Sequence, residues 1–121
     1  MNLVLDAGAL IEAERGGGRA KALLDSRPGE ARVFVPASVL AQVWRGGPQA
    51  VISRVLAGDV VVEALDEPSA RAVGTILAAS RTSDVVDAHV VLVARQHRAA
   101  IVTSDPDDLR RLDPRASLHV I

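Results

Sequence analysis

The hydrophobic positions of this chain fall in short runs separated by turn residues. Five runs rich in branched aliphatic residues are typical of buried strands, and they cover 2–5, 32–35, 60–62, 99–103 and 118–121. Between them the apolar residues recur at helical spacing, which predicts helices near 7–14, 19–24, 38–44, 49–56, 69–79 and 84–97, with a short helix after Pro106. This order predicts an α/β fold with a mostly parallel sheet of about five strands and right-handed crossovers.

The segment 82–109 carries most of the polar residues that this pattern does not explain. Ser83 is a suitable N-cap, which would place Asp84 and Asp87 in the first helical turns, three positions apart and on one face. The following run, 88–94, is apolar on nearly all sides, as a buried helix would be.

Aspartates also stand at the ends of two predicted strands. Asp6 follows strand 2–5, and Asp105 follows strand 99–103. If these strands are parallel neighbours, both carboxylates emerge at the carboxyl edge of the sheet and face Asp84 and Asp87. Two carboxylates about 4 Å apart repel by roughly 4 kcal/mol at an effective dielectric constant of about 20. Such a cluster needs protonation or a divalent cation.

Three of these four aspartates also have an ordinary structural interpretation. Asp6 could cap helix 7–14, Asp84 is favoured by the helix dipole, and Asp105 could cap a helix that begins at Pro106. Asp87 is harder to explain in this way, because its neighbours Val86 and Ala88 are apolar. The conjunction of all four aspartates therefore indicates a site.

For three other features of the sequence we prefer a structural or interface role over a role in ligand or nucleic-acid binding. His89 lies in an apolar helix and is expected in the core or an interface. The run 16–18 is three glycines without a following Gly-Lys-Ser/Thr, so it predicts a turn and not a phosphate loop. Trp44 and Arg45 could stack on a nucleic acid or anchor a protein interface, and the interface is favoured.

Composition and charge narrow the class of protein. The chain has 121 residues and 49% hydrophobic content, which predicts one domain over 1–121. It has no cysteine, so neither a disulfide framework nor a thiolate metal site is expected. The net charge of −1 does not indicate nucleic-acid binding by itself. Asp6 interrupts the first apolar run, so we expect a cytoplasmic protein without a signal peptide.

Four segments together resemble one family, the PIN-domain ribonucleases, and in particular the VapC-type toxins of bacterial toxin–antitoxin pairs. They are LVLDAGALI at 3–11, VPASVLAQVWR at 35–45, DAHVVLVA at 87–94 and IVTSD at 101–105. The resemblance implies a PIN-like three-layer α/β/α sandwich and a metal-dependent endoribonuclease. It also implies that Asp6, Asp87 and Asp105 hold Mg²⁺ or Mn²⁺, with Asp84 and Asp108 as accessory carboxylates.

One position departs from the pattern of that family. A glutamate usually follows the second strand, and Gln42 stands here instead, so a charge is missing. The resemblance further implies an RNA substrate such as tRNA or rRNA, a small antitoxin and a homodimer. Arg15, Arg45 and Arg81 lie near the motifs and are expected, with Trp44, to contact RNA or the antitoxin.

Two other functions remain open at this point. A receiver-like signalling domain also gathers aspartates around Mg²⁺, but it needs a lysine near the end of the sheet, and Lys21 is the only lysine. A catalytically weak or inactive PIN-fold module that binds RNA or protein is the second alternative, and Gln42 is the residue that favours it.

Overall fold

A single parallel sheet forms the centre of the molecule in a computed structural model that describes all residues 1–121. Its five strands lie in the order β3-β2-β1-β4-β5, and every pairing is parallel. The strands are β1 (Asn2–Leu5), β2 (Val33–Pro36), β3 (Val60–Glu63), β4 (Ala99–Thr103) and β5 (Leu118–Val120). The predicted parallel sheet is confirmed, and β1 and β4 are parallel neighbours.

Seven helices connect the strands in the predicted order. They are α1 (Ala7–Glu14), α2 (Arg19–Ser26), α3 (Ala37–Val43), α4 (Ala50–Ala57), α5 (Glu67–Ser80), α6 (Val85–His97) and α7 (Pro106–Leu112). Helices α1, α2 and α4 form one group of contacts and α5, α6 and α7 form another, so the sheet lies between two helical layers. None of the helices combines the length and the apolarity that crossing a membrane requires.

The core lies where α6 crosses the three central strands. Val4, Phe34 and Ile101 of β1, β2 and β4 are completely buried. All seven residues of 88–94 on α6 are buried as well, which confirms the prediction from their apolar run. Because α6 packs against β1, β2 and β4, its first turn is held over the carboxyl edge of the sheet.

Two predicted helix caps are wrong. Asp84, and not Ser83, caps α6: its Oδ1 accepts the N–H of Asp87 at 2.9 Å, so the helix begins one residue later. Ser38 does not cap α3, because the helix already begins at Ala37. Its hydroxyl instead lies 2.7 Å from Nδ1 of His89 on α6.

The three glycines form the turn that the sequence predicts. Glu12 accepts the N–H of Arg19 at 3.0 Å and that of Ala20 at 3.2 Å, so its carboxylate occupies the N-terminus of α2. A Cβ on Gly17 would collide with that same carboxylate. A phosphate therefore has no free place at this helix end, in agreement with the interpretation of the run as a turn.

Candidate functional site

Asp6 stands at the end of β1, where the chain turns into α1. Its Oδ1 accepts the N–H of Ala9 at 2.8 Å, so the capping role is confirmed, and the residue is only 6% exposed. Burial raises the pKa of the carboxyl, and the Asp105 charge adds to that rise. Hydrogen bonds from Thr103 and from the backbone of Ala9 oppose it. The Asp6 carboxylate is thus held in place by its capping bond, and burial destabilises its charged form.

Asp105 follows the adjacent strand, as predicted. Thr103 Oγ1 accepts the N–H of Asp105 at 2.9 Å, and Asp6 N–H donates to the Val102 carbonyl at 3.3 Å. Asp105 occupies the N-cap position of α7 but makes no side-chain capping bond, so the structural interpretation fails for this residue. The neighbouring Asp108 raises the pKa of Asp105 through a hydrogen bond and through its charge.

Gly8 allows α1 to start close to the end of β4. A Cβ at this position would collide with the Ser104 hydroxyl and would lie 3.5 Å from Asp6 Oδ1. Any residue other than glycine here would require the Ser104 side chain to move.

Asp84 and Asp87 approach the strand ends from the first turn of α6. Burial raises the pKa of Asp87 to about 6, and the charges of Asp84, Asp6, Asp108 and Asp105 contribute in that order. The charges of four further aspartates, Asp108 among them, thus act on Asp87.

These residues fit a divalent cation in donor type and charge. All the donors are carboxylate oxygens, which Mg²⁺ and Mn²⁺ prefer. The raised pKa values of Asp6 and Asp87 reflect burial and repulsion, and a cation would relieve the repulsion. No three side chains already form a closed ligand set. Asp105 is exposed and makes no capping bond, whereas Asp84 is held by its capping bond to the N–H of Asp87.

A polar cleft of about 310 Å³ opens beside the carboxylates. Asp84, Asp87 and Asp108 line it together with Arg81, Thr82, Ser83, Arg111 and Leu112. Arg111 lies 3.9 Å from Asp108, and its charge lowers the pKa of Asp105. Arg111 is not among the residues that the sequence predicts for the site. The available signal was its position three residues after Asp108, on one face of α7.

The other predicted contact residues are distributed unevenly. Arg81 lines the cleft, whereas Arg15 caps the far end of α1, about 12 Å along the helix from Asp6. Arg45 lies two residues beyond the last residue of α3 and donates to the Trp44 carbonyl at 2.8 Å. Trp44 is 41% exposed. The side chain of Gln42 is exposed and hydrogen-bonds to none of the aspartates.

His89 belongs to the core, as predicted. It is 1% exposed, and its ring lies against Ser38 of α3. Burial lowers the pKa of His89, and the backbone of Ala64 opposes that change. The neutral ring therefore links α6 to the start of α3 and to the chain after β3.

Solved structures with the same fold include toxins of toxin–antitoxin systems. A toxin–antitoxin complex from Klebsiella pneumoniae aligns with a TM-score of 0.75 at 17% identity, covering 99% of this chain and 100% of that chain. VapBC2 from Rickettsia felis, bound to a promoter DNA fragment, aligns with a TM-score of 0.73 at 12% identity, covering 100% of this chain and 99% of that chain. VapC20 from Mycobacterium tuberculosis, a toxin that cleaves the sarcin–ricin loop, aligns with a TM-score of 0.66 at 22% identity, covering 85% of this chain and 88% of that chain.

At these identities the structural matches establish the fold alone, and no curated protein matches the chain. The sequence profile of the PIN domain matches residues 3–114, a span that contains all five clustered aspartates. With this match, the receiver-like alternative is wrong, and Lys21 is in any case paired with Asp25 on α2. The chain belongs to the PIN-domain family.

Proposed function

We propose that this protein is a Mg²⁺- or Mn²⁺-dependent endoribonuclease, the toxin of a toxin–antitoxin pair. The observation that carries the proposal is the convergence of Asp6, Asp87 and Asp105 from two strand ends and one helix start. Hydrolysis of a phosphodiester is the reaction that such a carboxylate cluster supports with a hard cation. The similarity to toxin structures, one of which cleaves the sarcin–ricin loop, supports RNA as the substrate.

The three aspartates have different roles in positioning. Asp6 is fixed by the N–H of Ala9, and the backbone of Asp105 is fixed by Thr103. Asp87, with a pKa of about 6, is ionised at neutral pH and adds its charge from α6. A bound divalent cation would activate the attacking water and neutralise charge on the phosphoryl oxygens. We expect products with 5′-phosphate and 3′-hydroxyl ends.

Partners follow from the same proposal. The Klebsiella pneumoniae relative was solved as a toxin–antitoxin complex, which supports a small antitoxin that binds this chain and blocks its site. A homodimer is proposed on family resemblance, and action in the cytoplasm follows from an RNA substrate there. Exposed hydrophobic side chains such as Trp44 provide surface for such partners.

Cleavage of purified RNA tests the proposal. Wild-type protein and the Asp6→Asn variant are incubated with total bacterial RNA in Mn²⁺, in Mg²⁺ and in EDTA, and the new ends are sequenced. Discrete cuts by wild type alone, lost in EDTA, are the expected result. Cleavage that persists in EDTA or in the variant would contradict the metal mechanism.

A catalytically weak or inactive binding module is the second candidate. Gln42 in place of glutamate and the lack of a closed ligand set favour it. RNA binding without cleavage in either metal would support this module over the enzyme.

A further inference from the structure

We propose that Arg81 and Arg111 bind the RNA backbone phosphate next to the phosphate that is cut. The inference rests on the proposed function and specifies how that site holds its substrate. Both guanidinium groups belong to residues that line the cleft of about 310 Å³ beside the carboxylates.

Arg81 ends α5 in an uncommon backbone conformation and has a free guanidinium group. Arg81 is the C-cap of α5, with φ 56° and ψ 39°, and its N–H donates to the Leu77 carbonyl. This left-handed conformation is normally taken by glycine or asparagine, because a Cβ is disfavoured there. Arg81 forms no ion pair within the chain. What distinguishes Arg81 from Arg98, the other left-handed arginine C-cap, is that Arg81 lines the cleft together with Asp84 and Asp87.

Arg111 supplies the second cation from a different element. It lies on α7, 3.9 Å from Asp108, at the outer limit of an ion pair. The side chain of Arg111 is 74% exposed, and its contact with Asp108 is therefore weak. A guanidinium can donate two parallel hydrogen bonds to one phosphate, a stronger contact than this one.

Charge and size both agree with a phosphate in this cleft. Asp84, Asp87 and Asp108 would repel an RNA strand, so a substrate path needs cations beside them. The volume lies at the lower end for ligand-binding clefts, about 300 Å³, and suits one sugar-phosphate unit. Asp6 and Asp105 do not line the cleft, so a phosphate held there lies to one side of the proposed metal site, next to the scissile one.

The chain contains a matched control for Arg81. Arg98 is the only other residue besides glycine with positive φ, at 49°, and it is the C-cap of α6. The thirteen residues of α6 separate the two arginines by about 20 Å. Replacing either by glycine removes one charge and relieves the same backbone strain, so both variants should fold at least as well as the parent.

Arg111 has a control on its own helix. Arg110 pairs with Asp107 at 3.5 Å in the same i, i+3 arrangement, but it does not line the cleft. Arg111→Gln and Arg110→Gln therefore remove equivalent charges on different faces of α7.

Binding of a fluorescein-labelled twelve-nucleotide oligouridylate is measured by anisotropy in Mg²⁺ at several salt concentrations. All variants carry Asp87→Asn so that the RNA is not cut. We expect Arg81→Gly and Arg111→Gln each to weaken binding roughly tenfold. Each should also reduce the slope of log affinity against log salt by about 0.7, the value for one phosphate contact on a single strand. Arg98→Gly and Arg110→Gln should change the affinity less than twofold.

Equal losses in all four variants would indicate a general charge effect and overturn the proposal. Unchanged binding in Arg81→Gly and Arg111→Gln, or no binding by the Asp87→Asn parent, would overturn it as well. Cleavage by the protein with Asp87 intact is assayed separately. If that protein cuts RNA while Arg81→Gly and Arg111→Gln leave RNA affinity unchanged, only this inference fails. If it cuts no RNA while the arginines matter, the proposed enzymatic function fails and the phosphate site stands.

Discussion

Thr103 Oγ1 accepts the backbone N–H of Asp105 at 2.9 Å, at the fully buried end of β4. The same side chain lowers the pKa of Asp6 on the neighbouring strand, against the effect of burial. One hydroxyl thus fixes the chain at Asp105 and stabilises the charge of Asp6. Although no charge resides on Thr103, the geometry of two candidate ligands depends on it.

Thr103→Val should impair both stability and cleavage. Valine matches the shape of threonine but removes the hydrogen bonds of Thr103 to Asp105 and Asp6, at a net cost of about 1 kcal/mol each. Thr103→Ser keeps the hydroxyl and should retain most cleavage despite a lost methyl group. Thermal melts and cleavage rates of both variants check this. A valine variant as active as wild type would show that Thr103 has no positioning role.

Asp87→Asn should abolish metal-dependent cleavage and leave the metal-free protein as stable or more stable. The amide removes one charge from a cluster that already raises the pKa of Asp87 to about 6. The measurements are a melt in EDTA and a cleavage assay in Mn²⁺. Asp59→Asn, on an exposed turn outside the cluster, is the matched control. An Asp87→Asn protein that melts well below wild type and still cuts RNA would contradict the assignment.

The gain in folding stability of the metal-free Asp87→Asn variant over wild type should depend on pH. The folded pKa is raised from 3.8 to about 6, so between these values the native state binds the proton more tightly than the unfolded state. Wild-type stability from this group therefore falls as pH rises from about 4 to 6 and then stays constant. The shift corresponds to at most about 3 kcal/mol, and solvent screening at this partly exposed carboxyl reduces it to roughly 1 kcal/mol.

Denaturant unfolding in EDTA at pH 4.0 and pH 7.5 measures this effect. The free-energy difference between Asp87→Asn and wild type should be larger at pH 7.5, and added Mn²⁺ should remove it. A difference that is the same at both pH values would mean that Asp87 titrates normally.

Gln42→Glu should tighten Mn²⁺ or Mg²⁺ binding by roughly tenfold, equivalent to about 1.4 kcal/mol. The variant restores a carboxylate on α3, which begins at the carboxyl end of β2. Most of the direct Coulomb gain is lost to desolvation and to repulsion by Asp6. Calorimetric titration compares it with wild type and with Gln96→Glu, an equally exposed glutamine near the distant end of α6. Equal affinities would mean that Gln42 faces away from the metal or that Asp84 already replaces it.

Trp44→Ala should weaken binding of the cognate antitoxin by about 2 kcal/mol or more, because large exposed aromatic residues dominate interface anchors. Trp44 is 41% exposed and follows α3. Val120, which is 55% exposed on the edge strand β5, provides the control variant Val120→Ala. Unchanged antitoxin affinity with loss of RNA cleavage would place Trp44 on the substrate path instead.

The candidate site was predictable only as far as its residues stand at the ends of elements. Asp6 and Asp105 follow strands, and Asp87 lies in the first turn of a helix, so local periodicity places them near one sheet edge. Their separate roles were not predictable. That Asp6 caps a helix while Asp105 does not depends on side-chain orientation, which the packing of α1 and α7 determines.

The sequence by itself determined the order of strands and helices, the parallel sheet and the buried helix 88–94, because hydrophobic periodicity is a local property of the chain. Only the tertiary structure decided the strand order β3-β2-β1-β4-β5 and the meeting of Arg81 and Arg111 at the cleft that Asp87 lines. These features join residues that are distant in sequence or that point across the fold. No local pattern records them, since their free energy comes from contacts that form only when the elements pack together.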